Sequence, residues 1–246
     1  MVWERWQVSW DRQQELYLPD REERFRVMLD VVEAVAGPAP RVLDLACGTG
    51  SISRRLFERL PEATSVGVDL DPALLTIARG SFADDARIRL VSADLHAPDW
   101  TAGMPDEPFD AVVTATALHW LTTEPLLRLY GDLAKLLRPG GVFLNADHMP
   151  ESGRPLLYAA DETIRRTHRE RAERAGALDW DGWWEAAESD PNLTDAVAAS
   201  RAIYGTDDSG DTHPADWHIA RLHEAGFLEA GVVWRCLGDA MVAAIR

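Results

Sequence analysis

VLDLACGTG occupies residues 42–50. Three apolar side chains, Val42, Leu43 and Leu45, run into a loop bearing Gly48 and Gly50, and residues 51–60 continue with helical spacing. That order predicts a buried strand, a tight turn and a helix N-terminus. Glycine in such a loop frees the backbone to take positive φ or to lie close against a ligand. The helix then turns its unpaired N–H groups and positive dipole end toward whatever sits above the strand. Asp44 stands just ahead of the glycines. A carboxylate there suits a ligand that carries a cation rather than a pyrophosphate.

Further strands follow at α/β spacing. VGVDLDP (residues 66–72) reads as a second strand ending at Asp69, about twenty residues past the loop, where a ribose diol is usually held. Asp71 and Pro72 then read as the N-cap and first turn of a helix. Residues 87–91 predict a third strand, followed by the loop Ala93-Asp94-Leu95, and residues 109–115 a fourth strand buried on both faces. Residues 122–137 read as a helix that ends at Pro139-Gly140-Gly141 before a fifth strand. A dinucleotide fingerprint would want a third glycine where this chain has Ser53.

These elements, in this order, resemble the class I S-adenosylmethionine-dependent methyltransferases across most of residues 40–147 and the C-terminal tail. Ala46 stands where that family more often has glycine. The resemblance implies an α/β fold, a Rossmann-like seven-stranded methyltransferase sheet with helices on both faces. The tail AGFLEAGVVWRCLGDAMVAAIR (residues 225–246) matches its antiparallel end. It further implies that Asp44, Ala46, Gly48, Gly50, Asp69, Leu70, Asp94, Leu95 and Thr114 hold S-adenosyl-L-methionine, with S-adenosyl-L-homocysteine as product and no metal. In that scheme Asp44 faces the methionine ammonium, Asp69 the ribose hydroxyls and Asp94 the adenine amino group, while Leu95 packs on the ring.

Composition narrows the partners. The 246-residue chain carries 41 acidic and 25 basic residues, a formal net charge of −16. Such a surface repels phosphate backbones. The fourth strand runs into TATALHW, not the Asn-Pro-Pro-Tyr-like run with which the resembled nucleic-acid enzymes hold a flipped base. A small-molecule substrate is therefore expected, with no nucleic acid and no membrane, in a monomer or homodimer. Two cysteines, Cys47 and Cys236, form no C-x-x-C, so neither a zinc site nor a disulfide framework is indicated. No apolar h-region opens the sequence, and a cytoplasmic setting is the expectation.

Four segments are expected: an N-terminal helical lid (1–36), a cofactor-binding core (37–147), a helical insertion or substrate cover (148–213), and a C-terminal helix with antiparallel strands (214–246). Within the insertion, residues 155–175 and 190–204 read as helices, 180–184 as a short aromatic segment and TDDSGDTHP (206–214) as a loop. Trp10, Tyr17 and Trp183 are candidates for lining the acceptor site, against the alternative that they pack in the core. His119 and Trp120, in ALHWL (117–121), lie just past the fourth strand. Similar pairs occur in small-molecule carboxyl methyltransferases resembling the trans-aconitate enzymes. An ionised carboxylate acceptor would need only a hydrogen bond from His119. A hydroxyl would need His119 or His148 to accept its proton. The alternative for His119 is a strand-end cap, with Trp120 simply core.

The resulting expectation is methyl transfer to an oxygen of a small molecule. Aminoalkyl transfer or cyclisation from the same cofactor, and a non-catalytic cofactor-binding sensor, are the rivals.

Overall fold

The computed structural model describes residues 2–151, 153–204 and 210–246. Its sheet contains β1 (Arg41–Leu45), β2 (Thr64–Asp69), β3 (Ile88–Ser92), β4 (Phe109–Ala115), β5 (Leu137–His148), β6 (Glu229–Cys236) and β7 (Asp239–Ile245). The spatial order is β3-β2-β1-β4-β5-β7-β6. The first five strands pair in parallel, and β7 runs antiparallel to both β5 and β6. The sheet is therefore the expected one.

The helices are α1 (Val2–Tyr17), α2 (Arg21–Ala36), α3 (Ser51–Arg59), α4 (Pro72–Ser81), α5 (Thr123–Leu136), α6 (Pro155–Arg174), α7 (Trp180–Ser189), α8 (Thr194–Tyr204) and α9 (Ala215–Glu224). Side-chain alternation along β1 decides which layer each residue serves. Leu43 and Leu45 join the cluster formed with Leu126 and Leu133 of α5 and Leu222 of α9. Val42 faces the other way, into the cluster with Met28 of α2 and Leu56 of α3. Asp44 shares that second face, which directs its carboxylate toward α3. Each such aliphatic side chain, once buried, contributes about 1.5–3 kcal/mol.

Local chemistry sets the loops at the strand ends. Asp71 caps α4 as its sequence predicts, Oδ1 accepting from the N–H groups of Ala73 at 2.8 Å and Leu74 at 3.0 Å. Gly50 takes a left-handed φ of 80° at the start of α3, and a Cβ there would stand 2.6 Å from the Phe82 ring. At position 46, where the resembled family more often has glycine, Ala46 itself adopts φ 53°. The tight turn into the loop thus forces a left-handed conformation on a residue with a Cβ.

A third cluster joins the N-terminal helix and the insertion to the core. Trp10 of α1, Leu74 and Ile77 of α4, Trp183 and Ala187 of α7, and Val197 of α8 are all buried together. Ser200 of α8 donates to Asp71 Oδ1 at 2.7 Å, seating the insertion against the end of β2. Two details of the insertion differ from the sequence expectation. The aromatic segment is the start of helix α7, whose first turn Asp179 caps by accepting from Gly182 N–H at 2.8 Å. Residues 190–193 are not helical, because Asp190 turns back to accept the N–H of Asn192 at 2.9 Å, and α8 starts only at Thr194. Of the loop expected over 206–214, residues 206–209 lie outside the described residues. Among the described residues, no helix is long and apolar enough to cross a membrane.

Ala46→Gly should raise the urea unfolding midpoint modestly or leave it unchanged. Relief of about 1–2 kcal/mol of left-handed strain is partly offset by the freer unfolded chain, about 0.4–1 kcal/mol. Ala46→Val, β-branched at the same φ, should lose more than about 1 kcal/mol. A valine variant as stable as wild type would refute this conformation.

Candidate active site

Two buried carboxylates organise the glycine loop. Asp69, at the end of β2, accepts the Gly48 N–H on Oδ2 at 2.7 Å and the Asp71 N–H on Oδ1 at 2.8 Å. Its sequence position implied a carboxylate free to meet a ligand, but each oxygen already carries a backbone donor. A carboxylate has about four lone-pair directions, so further hydroxyls can still be accepted. Burial raises its pKa to about 6 despite those N–H bonds.

Asp44 is held differently. Its Oδ2 accepts the Ser53 N–H at 3.0 Å and the Ser53 hydroxyl at 2.6 Å, and Ser53 Oγ lies 2.8 Å from Ser65 Oγ. Oδ1 is buried with no hydrogen-bond partner among the described residues. Burial raises this carboxyl to about 7, against the two bonds from Ser53. Ser53, noted in the sequence only as a missing glycine, is thus the residue that fixes Asp44. A serine one turn inside α3, facing a strand aspartate on the α3 side, is the signal that could have found it.

Among the other residues implied by the resemblance, Gly48 and Leu70 are half-buried beside the loop and β2. Asp94 is engaged locally, accepting the His96 N–H at 2.8 Å. Leu95 packs on the cluster beneath the sheet's α5 face. Thr114 is fully buried at the end of β4, register partner of Asn145, and its Oγ1 has no partner among the described residues.

A second group of side chains meets over the carboxyl ends of β4 and β5. A cavity of about 280 Å³ there is bounded by Tyr17 of α1, Thr116 and His119 after β4, Asp147 and His148 of β5, Asp161, Arg165 and Arg169 of α6, and Asp239 of β7. His119 Nδ1 lies 2.7 Å from Asp147 Oδ1, and the His119 N–H donates to Asp147 Oδ2 at 3.1 Å. His148 Nδ1 lies 3.0 Å from Asp239 Oδ1. Both aspartates are buried, whereas the imidazoles are about one-third exposed, 32% and 34%. An ionised carboxylate only accepts, so each Nδ1 carries the proton and leaves Nε2 as the acceptor of a neutral ring.

Electrostatics keep these roles apart. Burial would raise Asp147, but the His119 hydrogen bond and charge outweigh it and the carboxyl stays low, hence ionised. Burial and the Arg165 charge hold His148 below its ordinary value. Arg24 of α2, fully buried, pairs with Asp239, and Arg165 reaches the same carboxylate at 2.8 Å. Arg169 stacks over the Tyr17 ring at 5.8 Å and has no carboxylate partner among the described residues. Thr116 is held at φ 52°, a strained conformation on the cavity wall.

The structure therefore brings Tyr17, His119 and His148 together and leaves three tryptophans out. Trp183 is fully buried, and its ring centroid lies 4.9 Å from that of Trp10, so both serve packing of α1 on α7 rather than the cavity. Trp120 is 45% exposed and is not core either. The sequence reading missed Asp147, Asp239, Arg165 and Arg169; acidic residues at strand ends beside histidine, as in Asp147-His148, were the available signal for the first. It also missed Gly210: a Cβ there would stand 1.9 Å from the His119 carbonyl oxygen, so only glycine lets the chain cross that backbone. Among the described residues, no group of three or more His, Cys, Asp or Glu could hold a metal ion.

Comparisons with known proteins agree with this architecture. A family model described as a methyltransferase domain matches residues 42–141. A trans-aconitate 2-methyltransferase of Methylobacterium nodulans is 31% identical over 191 residues, 73% of this chain and 69% of that protein. One from Azoarcus sp. is 35% identical over 145 residues, 58% of this chain and 52% of its own. An O-methyltransferase family protein from Burkholderia thailandensis has a similar fold, with TM-score 0.60 at 19% identity, over 96% of this chain and 58% of that one. Human N-acetylserotonin methyltransferase, solved with S-adenosylmethionine, gives TM-score 0.57 at 15% identity, over 97% of this chain and 56% of that one. The chain thus spans little more than half the length of the Azoarcus relative and of these two structures.

The raised Asp44 carboxyl makes stability depend on pH. The folded chain keeps that proton between about pH 4 and about pH 7, where the unfolded chain has released it. Its contribution is complete below about pH 4 and is lost as pH rises through about 7. Asp44→Asn, which mimics the neutral form, should flatten the decline in unfolding free energy between pH 5 and 8 by roughly 1–3 kcal/mol. Urea titrations with the same pH slope in both proteins would refute the assignment.

Proposed function

The chain belongs to the class I S-adenosylmethionine-dependent methyltransferases, and from that we propose that it transfers a methyl group to an oxygen of a small acceptor, a carboxylate above all. The observation that carries this reading is the cavity in which two aspartate-bound histidines and the uncompensated Arg169 meet, on the β4–β5 side of the glycine loop.

The cofactor site is read on the other side, over β1 and β2. The switch in strand order between β1 and β4 is where open α/β sheets take their ligands. The loop residues fit the cofactor. An orphaned acceptor, Asp44 Oδ1, answers to the methionine ammonium. The spare lone pairs of Asp69 answer to the ribose, with Asp94 and Leu95 beyond them toward adenine. Gly48 leaves the loop bare where the cofactor would lie, whereas the missing side chain of Gly50 makes room for the Phe82 ring. When bound, S-adenosylmethionine supplies a methyl group on a sulfonium, a reaction in which alignment can contribute roughly 7–11 kcal/mol.

The chain's own residues supply that alignment on the acceptor side. His119, fixed by Asp147 through both its ring and its backbone N–H, lines the acceptor side, where a neutral ring can take a hydroxyl proton but leaves an ionised carboxylate to Arg169. Arg169 offers a guanidinium to an acceptor carboxylate, and α6 together with the α1 end at Tyr17 forms the wall that keeps water out. The relatives named trans-aconitate 2-methyltransferases support a carboxylate acceptor, which is already ionised and gives up no proton. For a hydroxyl acceptor, neutral His148 or His119 would take the proton on Nε2. In this scheme residues 1–36 act as a lid and 148–213 as the cover of the acceptor.

Calorimetric titration should give micromolar binding of S-adenosylhomocysteine and none of a dinucleotide. Incubation with S-adenosylmethionine and carboxylate or phenol acceptors, followed by mass analysis, should give the methyl ester or the methyl ether, respectively, and S-adenosylhomocysteine. Methylthioadenosine as by-product would instead establish aminoalkyl transfer, and failure to bind S-adenosylhomocysteine would end the reading.

Arg169→Met should raise KM for a carboxylate acceptor about 10–100-fold, the worth of one charge-assisted bond, with cofactor affinity unchanged. As pH falls below about 6.5 the rate with a carboxylate should stay level, whereas a hydroxyl acceptor served by His148, whose ring is held below its ordinary value, would show a fall as that ring protonates.

A further inference from the structure

We propose that Gln7 of α1 holds the amino-acid end of the cofactor, an inference that rests on the cofactor reading above. Gln7 is 0% exposed, although glutamine is rarely buried without full hydrogen bonding. Its Nε2 donates to Thr49 Oγ1 at 3.2 Å, in the middle of the glycine loop. Its Oε1 is buried and has no partner among the described residues.

The helix is laid along the loop by a second contact on the same face. Asp11, four residues on, accepts the Ser51 hydroxyl at 2.7 Å. Residues four apart share one side of a helix, so Gln7 and Asp11 track the loop together. Asp11 is already neutralised, by Arg21 at 2.8 Å and Arg55 at 3.2 Å. Gln7 Oε1 therefore remains an unpartnered acceptor on a side chain that touches the loop.

Two orphaned acceptors thus belong to the side chains that hold the glycine loop: Gln7 Oε1 from α1 and Asp44 Oδ1 from β1. Every other oxygen of this pair of side chains, and the Gln7 amide nitrogen, is engaged by Ser53 or Thr49. Unpartnered buried acceptors on both sides of the glycine loop, on Gln7 and on Asp44, fit a ligand that brings donors to that loop. The α-ammonium of an amino acid has three N–H donors and a positive charge, which matches one carboxylate and one amide oxygen. Gln7 then links closure of α1 to the presence of the amino-acid moiety rather than of the nucleoside.

The test separates the two halves of the cofactor. Wild type, Gln7→Leu and Gln7→Met are titrated calorimetrically with S-adenosylhomocysteine and with 5′-methylthioadenosine, which keeps the nucleoside and lacks the amino acid. Both variants should bind S-adenosylhomocysteine about 10-fold more weakly or worse, bind methylthioadenosine as wild type does, and unfold at an equal or higher urea concentration. Equal weakening for both ligands, or none for either, would overturn the role of Gln7 alone. A wild type that binds neither ligand would overturn the cofactor reading itself, and this inference with it.

Discussion

Asp69 is the carboxylate on which the ligand-facing edge of the sheet depends. One oxygen holds the Gly48 N–H and the other the Asp71 N–H, so the loop after β1 and the turn after β2 are pinned to a single side chain. Burial makes those bonds costly to lose, because a buried acceptor stripped of donors retains its desolvation penalty. Asp71, positioned by the same turn, caps α4 and receives the Ser200 hydroxyl of α8. One strand-end aspartate thus fixes the loop, the next helix and the seat of the insertion.

Acidic residues at strand ends recur as the structural device of this molecule, with opposite electrostatic outcomes. Asp44 and Asp69 face no cation, and burial lifts both. Asp147 faces His119 and stays low. In the proposed reading, Asp44 of the first pair meets the cofactor's ammonium and Asp69 its uncharged ribose hydroxyls. The second arrangement keeps an imidazole in one tautomer with Nε2 outward. Asp239 repeats that pattern for His148 and also receives Arg24 and Arg165, so the antiparallel strand β7 carries part of the cavity wall.

Helix α1 and the insertion meet on α4 through tryptophans rather than through polar contacts alone. Edge-to-face packing of Trp6 and Trp10 on Trp183, with centroids 5.5 Å and 4.9 Å apart, gives these added layers a core of their own. Such pairs contribute about 0.5–1.5 kcal/mol beyond area burial. That core explains why the tryptophans are absent from the cavity: their surface is spent on docking, and the cavity wall is left to the polar face of α6.

The sequence by itself determined the sheet. Apolar runs ending in glycine or aspartate, separated by helical spacing, specify parallel strands, and the Asp71-Pro72 start of α4 was legible because capping is local chemistry. The glycine loop and the strand-end positions of Asp44 and Asp69 were legible for the same reason, whereas Asp94 was singled out only by the family resemblance. Only the tertiary structure decided what those groups touch. Ser53 reaching Asp44, Gln7 reaching Thr49, and Asp239 reaching His148 join residues 9, 42 and 91 positions apart. The division between Tyr17, which lines the cavity, and Trp10, which is core, was likewise invisible in their shared helical spacing. A side chain's neighbours across the fold depend on how layers pack, and that packing is set by the sum of many contacts that no local window contains.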